Sequence, residues 1–173
     1  PSPFHFDFKI AYDSGRDRVV WFGGNPPTLQ TWEWDGSVWV ELSPLNAPSR
    51  ELKAMVYDAA RGVTIGLQDY PAETWQWDGC DWTLLAPTGV PNSPDFAVYD
   101  AARGVVVLLA GDSGIGEIET WEWDGVDWTD VSPAIQPIPR HSAAMAYDPI
   151  RQRTVLFGGR TVRGGPAQSD TWE

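Results

Sequence analysis

The side chains that most often carry catalysis or metal binding are scarce in this chain of 173 residues, which has two histidines, His5 and His141, and one cysteine, Cys80. Two histidines without a cysteine cluster do not match the ligand spacing of a zinc site, and one cysteine excludes an internal disulfide. The nucleophile-elbow, Walker and dinucleotide-binding motifs are also absent from the sequence. The sequence therefore predicts no catalytic residue, no metal site and no cofactor.

A nine-residue pattern rich in tryptophan recurs along the chain. It occupies residues 31–39, 74–82 and 120–128, and a fourth copy begins at 171–173. Its Asp-Gly pair is the strongest short signal for a β-hairpin, and a two-residue turn there would place Trp32 opposite Trp39. Because strand side chains alternate, Trp32, Trp34 and Trp39 share one face, and Cys80 of the second copy is expected to be a packed thiol. This face could stack on a sugar or a peptide, but packing between neighbouring repeats is the favoured interpretation.

A second pattern, Tyr-Asp-x-x-Arg, precedes each tryptophan hairpin, with its tyrosines 45, 42 and 48 residues apart. These tyrosines are Tyr12, Tyr57, Tyr99 and Tyr147. The aspartate of such a pattern can accept hydrogen bonds from the backbone N–H groups of a tight turn, and the arginine can pair with it. We interpret the pattern as turn chemistry rather than as a ligand site repeated in every unit.

Each repeat thus holds four short strands, a to d. Strand a ends at Tyr-Asp, strand b is apolar, strand c carries the first two tryptophans, and strand d carries the third. Proline-rich connectors separate the repeats, which we place at 1–48, 49–91, 92–139 and 140–173. Units of this length with four antiparallel strands are typical of propeller blades. The sequence predicts an all-β propeller of four repeats of four-stranded antiparallel blades, with the fourth blade incomplete.

The combination of Phe-Gly-Gly at 22–24 and 157–159 with Tyr-Asp-x-x-Arg and Trp-x-Trp-Asp-Gly-x-x-Trp resembles a kelch-like repeat common in bacterial proteins. The resemblance covers essentially the whole chain. It departs at Gln68-Asp69 and at Ala110-Gly111, where the second and third repeats lack the Gly-Gly pair. The sialidase Asp-box is the other propeller motif to weigh, but its aspartate lies two positions before the glycine rather than beside it.

The strand order places the uniform a–b and c–d turns at one edge of every blade and the variable b–c loops and d–a connectors at the other. Binding residues concentrate in loops that a rigid scaffold holds. In kelch propellers that bind peptides, these two loop classes line the mouth of the central channel, so the resemblance implies a binding face here. The candidate ligand-binding residues are Asn25, Arg50, Tyr70, Asp112, Arg140, His141, Arg160 and Arg163.

The composition of the chain excludes some classes of binding partner. A net charge of −12 and a pI near 4.4 argue against nucleic acid and against an anionic membrane surface, and no apolar run is long enough for membrane insertion. We expect a non-catalytic binding or scaffold module that engages a protein or a glycan. The alternatives are a kelch-type sugar isomerase or hydrolase, in which His141, Arg140 and Arg160 could serve, and a self-assembling structural unit. The compartment is undetermined, with an extracytoplasmic location favoured.

Closure of the ring is a separate expectation. The chain begins with a connector-like Pro1-Ser2-Pro3 and stops within strand c of the fourth repeat. An open edge strand invites association. We therefore expect either further blades from a longer chain or copies of this chain that join to complete a ring.

Overall fold

The computed structural model describes residues 2–3, 7–25, 27–111, 118–161 and 165–173. The chain divides into two compact units, residues 1–86 and 87–173. Among the described residues the chain forms fifteen β-strands and no helix. Every paired strand is antiparallel to its neighbour, as expected for repeats that alternate strands and tight turns.

The strands of the first unit form two sheets. They are β1 (Phe8–Asp13), β2 (Arg18–Gly23), β3 (Gln30–Trp34), β4 (Trp39–Leu42), β5 (Leu52–Asp58), β6 (Val63–Gln68), β7 (Glu73–Trp77) and β8 (Trp82–Leu85). The second unit also forms two sheets. Its strands are β9 (Pro94–Asp100), β10 (Val105–Ala110), β11 (Glu119–Trp123), β12 (Trp128–Asp130), β13 (Ala144–Asp148), β14 (Arg153–Phe157) and β15 (Thr171–Trp172).

Each sheet follows the chain order of a propeller blade, a-b-c-d in the first three sheets and a-b-c in the fourth. The orders are β1-β2-β3-β4, β5-β6-β7-β8, β9-β10-β11-β12 and β13-β14-β15. The predicted fold class, an all-β propeller whose fourth blade has three strands, is confirmed. We call these sheets blades one to four.

The a–b turns have the predicted chemistry. Asp58 is completely buried, and its carboxylate accepts hydrogen bonds from the backbone N–H groups of Ala60 (3.1 Å) and Arg61 (3.3 Å) and from the Arg61 side chain (2.8 Å). The other three turns repeat this arrangement around Asp13, Asp100 and Asp148. The Tyr-Asp-x-x-Arg pattern therefore closes the hairpin edge of each blade.

The buried carboxylates of Asp13 and Asp100 predict a loss of stability in acid. Burial alone would raise the pKa of Asp13 and Asp100, but hydrogen bonds from Arg16 and Arg103 outweigh it, so both pKa values lie below the ordinary 3.8. The unfolded chain then binds more protons than the folded one, and stability is complete above the ordinary pKa and is lost as the pH falls through the lowered values. The urea midpoint should be lower at about pH 3 than at about pH 6. Equal midpoints would contradict this linkage, and Asp13→Asn combined with Asp100→Asn should flatten the dependence.

The tryptophan hairpins differ from the prediction in register. Trp39 pairs with Trp34, and not with Trp32 as predicted, because the turn is wider than two residues. The Asp35 carboxylate accepts hydrogen bonds from the N–H groups of Ser37 (2.9 Å) and Val38 (2.8 Å), which stabilises the wider loop. The three tryptophans still share one face, as predicted. In the second hairpin the same register puts Cys80 in the loop, where it is exposed, so the expectation of a packed thiol was wrong.

Two tryptophans of blade two pack against blade one and form hydrogen bonds with it. The Trp77 indole N–H donates to the Glu33 carboxylate (3.0 Å), and the Trp82 indole N–H donates to the Thr31 hydroxyl (3.0 Å). The Trp82 ring also meets Phe22 edge to face, with centroids 5.3 Å apart. Trp77 and Trp82 are only 1% and 0% exposed. The interpretation of this face as inter-blade packing is confirmed within the first unit.

A tyrosine makes a second link between these blades. The Tyr57 hydroxyl of blade two is hydrogen-bonded to the Asp13 carboxylate in the turn of blade one. Tyr57→Phe should lower the free energy of unfolding by about 1 kcal/mol, because it removes one bond to a charged group. Tyr12→Phe is the matched control, since Tyr12 bonds Asp17 at an exposed site (2.8 Å) and its loss should cost less than half as much. Urea denaturation of the pair measures the difference, and equal losses would contradict the link.

The d–a connectors do not lie only at the edge of the blade where they were predicted. Rather than staying at the loop edge, the first connector reaches the c–d loop of the next blade, where Asn46 donates from its backbone and its side chain to Asp81 (2.8 Å each). The second connector does the same, since the backbone N–H groups of Thr88 (2.9 Å) and Gly89 (3.1 Å) donate to Asp127. Each of these connectors is therefore tied to the c–d loop of the blade that follows it.

Candidate binding surface

The loop edge of blade two is held by a buried glutamine. Gln68 accepts a hydrogen bond from the Arg50 backbone N–H (3.1 Å), and its amide donates to Glu73 (3.0 Å) and to the Pro71 carbonyl (3.4 Å). One side chain thus ties the d–a connector to the b–c loop. Gln68 stands where the first and fourth repeats have glycine and the third has alanine, so this bracing belongs to blade two.

Tyr70 projects from this braced loop. Its backbone is in the left-handed region (φ 52°) and its side chain is 73% exposed. An aromatic ring presented by a fixed backbone loses little conformational entropy when it stacks on a ligand. Arg50 at the same edge is exposed, and in blade one Asn25 is exposed at the corresponding loop, where its carbonyl accepts from the backbone and hydroxyl of Thr28 (2.8 Å each).

Arg140 in the second unit is buried, unlike a solvent-facing ligand contact. Its guanidinium binds both carboxylate oxygens of Asp170 (2.6 and 2.9 Å) and donates to the carbonyls of Gly158 (2.9 Å) and Ile138 (3.1 Å). The hydrogen bonds from Arg140 hold the pKa of Asp170 well below its usual range. Arg140 therefore fixes the connector and the b–c loop of blade four, the task that Gln68 performs in blade two.

His141 and Arg160 are brought together although they are far apart in sequence. Their backbones form an antiparallel bridge with two N–H to carbonyl hydrogen bonds of 2.9 Å. The Arg160 side chain is exposed and donates to the Gly165 carbonyl, while the His141 ring lies 3.1 Å from the Ser142 hydroxyl. This pair is the part of the second unit's loop edge where predicted site residues meet. Asp112 and Arg163 lie outside the described residues.

A set of loop-edge residues was missed at the sequence level. The first tryptophan of each strand c donates its indole N–H to a side chain two residues earlier, at distances of 2.7–3.2 Å. The acceptors are Gln30, Glu73, Glu119 and Asp170. The signal is in the sequence, because an acid or amide precedes Thr-Trp in all four copies. These residues anchor the start of strand c, and so they define where each b–c loop ends.

Within the described part of the chain, no group of three or more His, Cys, Asp or Glu side chains has an arrangement that could hold a metal ion. The same residues contain no helix with the length and apolar character needed to cross a membrane.

Comparison with known proteins shows the fold and no family. No protein-family model matches the chain, and no curated protein matches it in sequence. Among solved structures, a chain of a nidogen/laminin complex is similar over 86% of this chain, with 15% identity and a TM-score of 0.61. This chain spans about half of that chain's length (55%). At this identity the likeness shows the fold alone, which is that of a β-propeller.

Proposed function

We propose that the chain is a non-catalytic binding or scaffold module of the kelch-like type that engages a protein or a glycan through its b–c loop edge. The observation that carries this proposal is Tyr70, a strongly exposed ring on a loop that buried Gln68 fixes in place. The motif residues support the kelch-like assignment, because they recur in every repeat at structural positions. The Asp and Arg of each motif close a turn, and the tryptophans pack in the hairpins. The variable loops are then left for recognition.

Screening the folded protein on glycan and peptide arrays tests the proposal and separates the two ligand classes. Once a ligand is found, Tyr70→Ala should weaken its binding by about tenfold or more, as expected for an exposed aromatic anchor. Tyr12→Ala is the matched control, because Tyr12 is also exposed but lies on strand β1 away from the b–c loop. Equal loss in both variants, or no ligand on either array, would contradict recognition by the loop edge.

A further inference from the structure

Arg50 and Arg140 occupy the same position in their blades but have opposite surroundings. Each lies seven residues before the tyrosine of the Tyr-Asp-x-x-Arg pattern. Arg140 is buried and binds both carboxylate oxygens of Asp170 (2.6 and 2.9 Å). Arg50 is exposed, and its guanidinium has no hydrogen bond or ion pair with any other residue that the structure describes. The same position in the repeat is therefore used for bracing in blade four and faces solvent in blade two.

Gln68 accounts for this difference. Gln68 and Gly158 are equivalent, since each lies eleven residues after the same tyrosine. In blade four the glycine has no side chain, and the Arg140 guanidinium bonds the Gly158 carbonyl (2.9 Å) and Asp170. In blade two the Gln68 amide takes the place of that guanidinium and donates to Glu73 (3.0 Å). Glu73 is the equivalent of Asp170, because each accepts the indole N–H of the tryptophan two residues later. Gln68 thus keeps the arginine of blade two away from this carboxylate.

Gln68 also places Arg50 beside the loop that carries Tyr70. Its amide oxygen accepts from the Arg50 backbone N–H (3.1 Å), and its amide nitrogen donates to the Pro71 carbonyl (3.4 Å). The backbones of Arg50 and Pro71 therefore lie on either side of a single amide group. Tyr70 directly precedes Pro71, and its ring is strongly exposed. One buried side chain thus holds together two segments that present a guanidinium and an aromatic ring to solvent.

Blade four shows which chemical group an arginine at this position binds. Its partner there is a carboxylate held by two hydrogen bonds, the planar geometry for which a guanidinium is suited. The exposed ring of Tyr70 adds a flat apolar face, on which the C–H face of a sugar ring can stack. Peptides are more often bound in grooves or along sheet edges, and the net charge of −12 disfavours a densely acidic peptide. A sugar residue that bears one carboxylate offers both features on a single ring.

We propose that Arg50 and Tyr70 form a subsite for an acidic sugar residue of the uronate type. The Arg50 guanidinium binds the sugar carboxylate through two hydrogen bonds, and the Tyr70 ring stacks on the sugar face. Gln68 is the positioning residue, since it keeps Arg50 out of the ion pair that the equivalent arginine makes. This subsite rests on the proposed binding function of the loop edge, and Arg50 is the residue that selects its ligand class.

Isothermal titration calorimetry on the whole chain tests the subsite. The probes are oligosaccharides that each carry one glucuronate or galacturonate residue, and the methyl ester of each serves as the uncharged match. At least one acidic probe should bind saturably, and its ester should bind about tenfold more weakly, because the ester lacks the charged acceptor. Arg50→Ala should weaken the acidic probe by about tenfold and leave the affinity for the ester unchanged.

Two further variants serve as controls for this titration. Tyr70→Ala should weaken the acidic probe and its ester alike, because stacking does not depend on the carboxylate charge. Lys53→Ala is the matched control for Arg50→Ala, since Lys53 is an exposed cation on strand β5 of the same blade. Its removal should leave both affinities unchanged.

Gln68→Gly tests the displacement of Arg50 without a ligand. With glycine at this position, as in blade four, Arg50 should turn inward and pair with Glu73. Arg50→Ala should then lower the urea midpoint in the Gln68→Gly background but leave it unchanged in the original sequence. Gln68→Gly should also weaken the acidic probe by about tenfold, as the loss of Arg50 does. Equal shifts of the midpoint by Arg50→Ala in both backgrounds would contradict the displacement.

Four binding results would overturn the subsite. They are no saturable binding of any acidic probe, equal binding of acid and ester, equal effects of Arg50→Ala and Lys53→Ala, and an acidic peptide that binds through Arg50 in place of the sugars. A neutral glycan or a peptide that depends on Tyr70 but not on Arg50 would remove the subsite and leave the loop-edge function standing. The absence of any ligand for the loop edge would contradict both.

Discussion

Trp82→Ala is expected to lower the free energy of unfolding by about 3–5 kcal/mol, the range for deleting a buried tryptophan. The Trp82 side chain is completely buried, packs edge to face on Phe22 and donates to Thr31. The substitution would open a large cavity between blades one and two and would leave the buried Thr31 hydroxyl without its donor. Urea denaturation followed by circular dichroism measures the loss.

Trp39→Ala is the matched control for this prediction. Trp39 holds the same place in its hairpin and packs against its partner Trp34 at a similar tilt, with centroids 5.6 Å apart, yet it is only half-buried. We expect its loss to cost less than half as much as that of Trp82. Equal losses would show that the hairpins are stabilised within each blade and not by the blade that precedes them.

Arg140→Ala is the second substitution with a large expected effect, about 2–4 kcal/mol of the free energy of unfolding. It would remove the bidentate partner of Asp170 and leave the Gly158 carbonyl without its donor. The lower part of the range for a broken buried ion pair applies, because Asp170 keeps 41% of its side-chain exposure. Thermal and urea denaturation both report this loss.

Arg160→Ala is the matched control for Arg140→Ala, because it removes one positive charge from the same loop edge. Arg160 is exposed, so its removal should change stability by less than about 0.5 kcal/mol. Arg140→Lys should be intermediate, because an ammonium keeps the charge but not the bidentate geometry. An Arg140→Ala variant as stable as the unchanged protein would contradict the bracing role. Arg140 would then again be a candidate ligand-binding residue.

The repeated parts of the fold were predictable because each depends on local chemistry. An aspartate that caps its own turn, as Asp58 does, is decided within four residues of sequence. The shared face of the three hairpin tryptophans follows from strand alternation whatever the turn width. The turn width itself was not predictable from Asp-Gly alone, since it depends on the Asp35 side chain, which accepts from the N–H groups of Ser37 and Val38.

The candidate site was less predictable because exposure depends on contacts between distant residues. Arg140 and Arg160 are the same residue type in similar loops. Arg140 is buried in an ion pair with Asp170, whereas Arg160 is exposed to solvent. Gln68 was recognised only as a departure from the repeat, while its three hydrogen bonds join segments that are 18, 3 and 5 residues away. Sequence position therefore identified the loop edge but not which of its side chains face outward.

Exchange of the indole protons tests the central claim most directly, namely that the tryptophan hairpins join blades and leave recognition to the loops. With ¹⁵N-tryptophan labelling, the indole N–H groups of Trp77 and Trp82 should exchange slowly with solvent, because both are buried and bonded to Glu33 and Thr31. Those of Trp34 and Trp39 should exchange quickly. Fast exchange at Trp77 and Trp82, or a shift of their resonances when an array ligand is added, would contradict the claim.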